Sequence, residues 1–343
     1  MSVYLLFFGL SFAIAALFTP WVKKLAFKIR AVDVPKDDRR MHKVPIARLG
    51  GLAIYISFIV TLSIFFRLSG EILGLVLGGS ILVVIGIVDD VYRLGPWLKL
   101  CFQVLAALVA FYFGIRVEYI TNPFGGLLDF GVFSVSFLGQ TVAFVSLFIT
   151  VMWLIIMVNT VNFLDGLDGL AGGVAFIGSI ILFALSLLPD VNQPVSAGLA
   201  IILAGACLGF LVYNFYPARI FMGDSGAYFI GFVMASLAVI SGAKLATAVL
   251  VMGFPLLDLV WAVLRRLKNR VSPFTADRAH LHHRLVDAGL TVRQAVFLLY
   301  VFSATFGVVA ILGRSVVKFF ALLGLFGTML VLSTYLVYRG RRN

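Results

Sequence analysis

The feature that most constrains this chain is a succession of long apolar runs. They fall at about 3–20, 50–66, 72–88, 100–115, 141–158, 172–188, 196–213, 226–241, 246–263, 294–312 and 318–338. Most are close to the ~20 residues that an α-helix needs to cross the hydrocarbon of a bilayer. Inside lipid only helices and closed barrels satisfy their own backbone, and these runs do not alternate with period two. The pattern therefore predicts an all-α polytopic membrane protein with about eleven transmembrane helices. Hydrophobic residues make up 62% of the 343 and charged residues 12%, against roughly 45–50% and about 25% in a soluble domain. That balance excludes a soluble enzyme, a disordered tail protein and a peripheral binder with one anchor. The first run has no Lys or Arg before it and no A-x-A-like site after it, so it reads as a retained span and not a cleaved signal peptide. No internal repeat, Gly/Ser linker or low-complexity tract interrupts the chain, which reads as one integral domain over 1–343. Cys101 and Cys207 both lie in apolar runs and do not indicate a disulfide framework.

The net charge of +12 suggests nucleic acid until its location is considered. With the N-terminus outside and the runs crossing alternately, 22 of the 27 Lys and Arg collect on one side. This is the positive-inside asymmetry of a membrane protein, so that side is cytoplasmic, the C-terminus lies there too, and nucleic acid is not an expected partner. Eleven of the fifteen acids lie near the same face. On the opposite side, residues 115–140 read as a small hairpin, with strand from Arg116 to Ile120, a turn at Asn122-Pro123-Phe124-Gly125-Gly126, and a returning strand.

Five polar groups stand at the cytoplasmic ends of the predicted helices. Asp89-Asp90 follows the apolar run Ile81–Val88 and precedes Arg93 and Lys99; adjacent carboxylates at a lipid boundary repel unless a cation or a donor stabilises them, as Mg²⁺ would. Asn159, Asn162, Asp165 and Asp168 recur every third residue, which on a helix makes one slowly turning polar stripe, followed by Gly169, Gly172 and Gly173. Asn214, Phe221 and Gly223-Asp224-Ser225-Gly226 lead into the next helix, whose N-terminus suits a phosphate or a metal–phosphate complex. An N-capping role for Asp224 or Ser225 is the plainer alternative. The basic loop 264–293 carries Arg278, His280, His282, His283 and Arg284, with three of the four histidines of the chain inside four residues. Arginine forks with histidine donors suit a diphosphate better than Zn²⁺. Finally, Lys43 and Arg48 lead to Gly50-Gly51, a pair that permits close helix packing. Beyond these groups, Gly253 and Pro255 interrupt the ninth run, and Asp258 lies inside it, where Arg265 or Arg266 could pair with it.

Taken in this order, the motifs resemble the polyprenyl-phosphate N-acetylhexosamine-1-phosphate transferases, the WecA, TagO and MraY group. The resemblance runs from Lys43 to about Arg293 and rests on Pro45–Gly51, Asp89-Asp90, the 159–173 segment, FMGDSG at 221–226 and the histidines at 280–283. The His-Leu-His-His form, and Ala47-Arg48-Leu49 in place of the Thr-Met of MraY-like proteins, place it closest to the WecA/TagO branch. The resemblance implies transfer of HexNAc-1-phosphate, GlcNAc-1-phosphate by default, from a UDP-N-acetylhexosamine to undecaprenyl or another polyprenyl phosphate. This is the initiating step of cell-envelope glycopolymer synthesis, such as teichoic acid or O-antigen. By resemblance the catalytic group is Asp89, Asp90, Lys99, Asp165, His280, His282 and His283. Substrate contacts fall to Lys43, Arg48, Asn159, Asp168, Asn214, Phe221, Arg278 and Arg284. Asp224 and Asn162 approach Mg²⁺, with Mn²⁺ as an alternative ion. The resemblance also implies a multi-pass protein of the bacterial inner membrane, surrounded by membrane lipids, with a cytoplasmic active site and a homodimeric assembly. The other readings are an MraY-like phospho-MurNAc-pentapeptide transferase and, from a different class, a polytopic lipid transporter or flippase; the latter would show repeated halves and polar groups near the midplane.

Overall fold

In the computed structural model of the protein, residues 1–35, 44–68, 70–131, 134–137, 140–242, 245–272 and 280–340 are described. Helices form where the apolar runs lie. In chain order they are α1 (Ser2–Lys28), α2 (Gly51–Phe65), α3 (Gly70–Tyr92), α4 (Pro96–Tyr112), α5 (Phe144–Leu164), α6 (Leu170–Ser186), α7 (Pro194–Asn214), α8 (Gly223–Ile240), α9 (Leu245–Val251), α10 (Gly253–Lys268), α11 (Leu281–Asp287), α12 (Val292–Leu312) and α13 (Ser315–Gly340). Seven are long and apolar enough to cross a membrane, and α9 with α10, bent by 81°, forms an eighth candidate. Helices α2, α4 and α6 are apolar but shorter, at 15, 17 and 17 residues. The protein is therefore an all-α, multi-pass membrane protein, with seven to eight full-length span candidates among the described residues. The three shorter helices are each cut at one end by the turns that carry Gly50, Gly95 and Gly169, all of which lie beside the polar groups.

Helix α8 is the axis of the bundle. Its span is 94% buried, against 11% for that of α13, which places α8 inside and α13 toward lipid. Helices α3 and α5 make its most extensive contacts, and α1 and α6 pack on α7. Small residues let the helices approach, as is usual where lipid tails offer no hydrophobic driving force between helices. A Cβ on Gly51 would overlap the backbone of Gly226, so the first turns of α2 and α8 are in backbone contact. The indole Nε1–H of Trp153 on α5 donates to the Ala235 carbonyl of α8 at 3.1 Å, which satisfies a polar atom that lipid could not.

The predicted hairpin is present. Strands β3 (Tyr119–Thr121) and β4 (Leu127–Asp129) pair antiparallel, and the Asn122 side chain accepts the Phe124 N–H at 3.0 Å in the turn between them. A second hairpin, β5 (Ser134–Phe137) with β6 (Gln140–Ala143), corrects the start of the fifth apolar run: its first residues are strand, and the helix begins at Phe144. On the other side of the bundle a short ladder joins β1 (Val32–Asp33) to β2 (Ile46–Ala47). The basic segment 264–293 is not one loop. Helix α10 continues through Lys268, and the histidine motif opens a helix of its own, α11.

Candidate active site

The polar groups meet because alternate helix ends meet. The C-terminal ends of α3, α5 and α7 and the N-terminal ends of α2, α4, α6 and α8 carry them. The segment before α2 is stitched onto the segment before α8 by backbone bonds: Phe221 N–H to the Ala47 carbonyl at 2.8 Å, Gly50 N–H to the Phe221 carbonyl at 2.9 Å, and Gly51 N–H to the Met222 carbonyl at 2.8 Å. This places Arg48 beside Asp224, although 176 residues separate them. Gly223, at φ +78°, turns the chain into α8 with Asp90 and the Arg48 carbonyl so close that any side chain would collide with them.

Five charged side chains then interlock. Arg48 Nη2 donates to Asp224 Oδ1 at 2.7 Å, and Arg48 Nε lies 3.3 Å from Asp90 Oδ1. Lys99 Nζ bridges Asp89 Oδ2 at 3.0 Å and Asp224 Oδ2 at 3.3 Å. The Tyr228 hydroxyl, one turn along α8, donates to Asp224 Oδ2 at 3.0 Å. Burial by itself would lower the Arg48 pKa, but the charges of Asp224, Asp90, Asp165 and Asp33 outweigh it, and the guanidinium is held firmly charged.

The two adjacent aspartates have different partners. Asp90 Oδ1 accepts the Asp224 N–H at 2.8 Å, while Oδ2 accepts the Ser225 N–H at 3.2 Å and the Ser225 hydroxyl at 2.9 Å. Helix α8 has no side-chain cap of its own, and Asp90 supplies one from α3. Both oxygens of Asp90, a residue expected in the catalytic group, are thus engaged by the first turn of α8. Asp89 takes the Leu94 N–H at 2.6 Å on Oδ1 and turns Oδ2 toward Lys99.

The polar stripe breaks where α5 ends. Asn159 and Asn162 lie on its last turns, whereas Asp165 is the residue that closes the helix and Asp168 lies in the turn before α6. Asn159 donates to Gln103 Oε1 at 2.8 Å, and Asp168 Oδ2 accepts the Ala218 N–H at 2.8 Å. Burial raises the Asp165 pKa well above the usual carboxylate range; the charges of Asp224 and Asp90 add to this, against Arg48 and the Gly223 N–H. Asn214, expected among the substrate contacts, is 2% exposed and occupied at both ends. Its Oδ1 accepts the Gly169 N–H at 3.1 Å and its Nδ2 donates to the Ile220 carbonyl at 2.9 Å, so it ties the two loops together.

The histidines sit on and before α11. His280 Nδ1 lies 2.9 Å from Asp258 Oδ2, which corrects the expected pairing of Asp258 with Arg265 or Arg266. His280 packs on Phe163 at 5.1 Å and stacks on His282 at 5.8 Å. His282 packs on His283 at 4.3 Å, and burial keeps it well below the usual histidine pKa. Arg284 is on the same helix. Lys43 and Arg278 lie outside the described residues.

Comparison with known proteins places the chain in a family. The glycosyl transferase family 4 pattern matches residues 72–242, which hold Asp89, Asp90, Lys99, Asp165 and Asp224. The chain is 32% identical over 317 residues to the probable undecaprenyl-phosphate N-acetylglucosaminyl 1-phosphate transferase of Bacillus subtilis, covering 90% of this chain and 84% of that one. The chain belongs to the polyprenyl-phosphate N-acetylhexosamine-1-phosphate transferase family. It is also 35% identical over 325 residues to the decaprenyl-phosphate N-acetylglucosaminephosphotransferase of Mycolicibacterium smegmatis, with coverage of 85% and 78%. Identity to the undecaprenyl-phosphate alpha-N-acetylglucosaminyl 1-phosphate transferase of Escherichia coli (strain K12) is 31% over 319 residues, with coverage of 88% and 82%.

In this transferase several site residues escaped sequence reasoning. Tyr228 follows Asp224 by one helical turn, a spacing that was readable. Gln103 lies inside an apolar run and follows Lys99 by the same spacing. Tyr300, whose hydroxyl donates to the Gly169 carbonyl at 2.5 Å, gave no sign in the sequence. As for a metal, the described His, Cys, Asp and Glu residues form no ready group of three around one point. The donors nonetheless suit a hard cation, because Asp165 is a buried carboxylate beside two other acids that lie under the positive charge of Arg48.

Proposed function

We propose that the protein transfers GlcNAc-1-phosphate from UDP-GlcNAc to a polyprenyl phosphate at the cytoplasmic face of a bacterial inner membrane. The observation that carries this reading is the interlocked Arg48–Asp224–Lys99–Asp89 cluster, which sits at the ends of apolar helices. The names of the relatives support GlcNAc-1-phosphate and a polyprenyl phosphate as the two reactants. In the reaction an oxygen of the lipid phosphate attacks the phosphorus that bears the sugar. The bond from that phosphorus to the bridging oxygen breaks, and the electron pair leaves with UMP.

Phosphoryl transfer needs alignment and charge neutralisation more than covalent chemistry. The attacking phosphate has a second pKa of about 6 and is largely ionised near neutral pH, so no strong base is required. Asp89, with one oxygen on Lys99, orients the incoming phosphate. Lys99 and Arg48 offset the charge that builds on the diphosphate and on departing UMP. Asp90 and Asn214 hold the loops in register, and the histidine helix faces the sugar diphosphate. Asp224 and Asn162, with Asp165 beside them, would hold Mg²⁺. When bound, that ion would supply electrophilic neutralisation of the diphosphate.

Eleven crossings, with the three shorter helices traversing, put the N-terminus outside and the basic segments inside. A homodimer is the proposed assembly. The test is purified full-length protein in lipid nanodiscs with polyprenyl phosphate, Mg²⁺ and a panel of UDP-sugars that includes UDP-MurNAc-pentapeptide. UMP release with UDP-GlcNAc is expected, and a folded protein that releases UMP from no sugar would sink the reading. Turnover confined to the MurNAc-pentapeptide donor would move it to the MraY-like branch.

A further inference from the structure

Asp258 lies outside every role assigned above. It stands near the start of α10, just past the 81° bend from α9. A carboxylate there is unexpected unless something uses both oxygens. Its Oδ2 lies 2.9 Å from His280 Nδ1, and its Oδ1 accepts the Leu281 N–H at 3.1 Å. Helix α11 begins at Leu281 with no side-chain cap of its own, so Asp258 caps it from another helix, as Asp90 does for α8.

The same contact fixes the His280 ring. A carboxylate at Nδ1 requires a proton on that nitrogen, which sets the tautomer and the ring angle. Phe163 packs on the ring at 5.1 Å, and the His282 ring stacks parallel to it, at 7° and 5.8 Å. His282 is 3% exposed, and its Nε2 has no hydrogen-bond partner among the described residues. That nitrogen points at Gly166, where even a methyl group would collide with it. The order of contact is therefore Asp258, His280, His282 and then the turn between Asp165 and Asp168.

We propose that Asp258 is a positioning residue that locks the tautomer and orientation of His280 and, through the His280–His282 stack, aims His282 Nε2 into the Asp165–Asp168 turn. The bent α9–α10 pair is thereby tied to the histidine helix. This rests on the transferase reading, because the effect is read partly in turnover.

Two measurements on the full-length protein in nanodiscs test it. Only four histidines occur in the chain, so their ring protons can be assigned by ¹⁵N-histidine NMR. The wild type should show a carboxylate-bound Nδ1–H far downfield that is absent in His280→Ala and Asp258→Asn and retained in Asp258→Glu. Asp258→Asn, nearly isosteric, should lower kcat by about 10–100-fold with KM and melting temperature near wild type. Asp258→Glu should recover part of that loss. A wild type without the downfield proton, a proton that persists in Asp258→Asn, or a kcat close to wild type would each overturn the proposal. An Asp258→Asn protein that does not fold would overturn it too, since the pair would then be a requirement of the fold. Wild-type UMP release, measured alongside, separates failure of this inference from failure of the transferase reading.

Discussion

Asp90 Oδ1 accepts the backbone N–H of Asp224 at 2.8 Å, so one aspartate of the site holds in place the helix that presents another. Asp89, its neighbour in sequence, is bonded to Lys99 instead. Substitutions at the two should part in kind. Asp90→Ala removes a cap whose loss costs about 1–2 kcal/mol and should lower the thermal unfolding midpoint together with activity. Asp89→Asn should leave the midpoint unchanged and cut kcat by about 10²-fold or more. Equal melting curves for the two variants would refute this division of labour.

Arg48 bonds two carboxylates with two different nitrogens, a geometry that the single ammonium of lysine does not reproduce. Arg48→Lys should therefore behave much like Arg48→Ala. Since the guanidinium side chain is 36% exposed, we expect a stability loss of about 1–3 kcal/mol, less than for a fully buried pair. A denaturant titration checks this, and a lysine variant at wild-type stability and rate would contradict it.

Asp165 predicts a pH-dependent trade. Its folded pKa is raised, so the stability it contributes is complete only below the unfolded value of about 3.9 and is lost as pH rises through the folded value. At neutral pH, without divalent metal, Asp165→Asn should be more stable than wild type, and the difference should vanish toward acid. The variant should also lose turnover and the stabilisation by Mg²⁺ that we propose for the wild type. Melting curves across pH, with and without Mg²⁺, decide it; a variant less stable than wild type at neutral pH would exclude this sign.

Two glycines separate contact from mere flexibility. Gly51 meets the Gly226 backbone, so Gly51→Ala must push α2 away from α8 and should cost about 1–3 kcal/mol or more, with loss of activity. Gly9, on the outward side of α1, has nothing within 4 Å of an added Cβ, and Gly9→Ala should be neutral or slightly stabilising. Expression, melting and turnover of the pair give the comparison.

Much of the fold was legible because lipid forces apolar runs to be helical, and each predicted run lies mainly in helix, the ninth in the bent pair α9–α10. The outer hairpin was legible from Asn122-Pro123 and Gly125-Gly126, which suit a turn. The site was legible as a set of residue types, since Arg48, Asp89, Lys99 and Asp224 do converge. Less legible were the end of α5, which breaks the three-residue stripe at Asp165, and the helix made by the histidines in a segment that reads as a basic loop. Both depend on partners distant in sequence. Asn214 ties down Gly169 across 45 residues, and Asp258 caps α11 from 23 residues away.

By itself, then, the sequence determined the class of molecule and the chemistry gathered at one face, because burial in lipid and the clustering of charge act on residue type alone. Only the tertiary structure decided which acid meets which partner. Neighbouring residues on a helix point about 100° apart, so Asp89 and Asp90 face different helices. One meets Lys99 of α4, and the other meets the open N-terminus of α8. The partners at this site follow from what lies opposite each side chain, which is a property of how the helices pack.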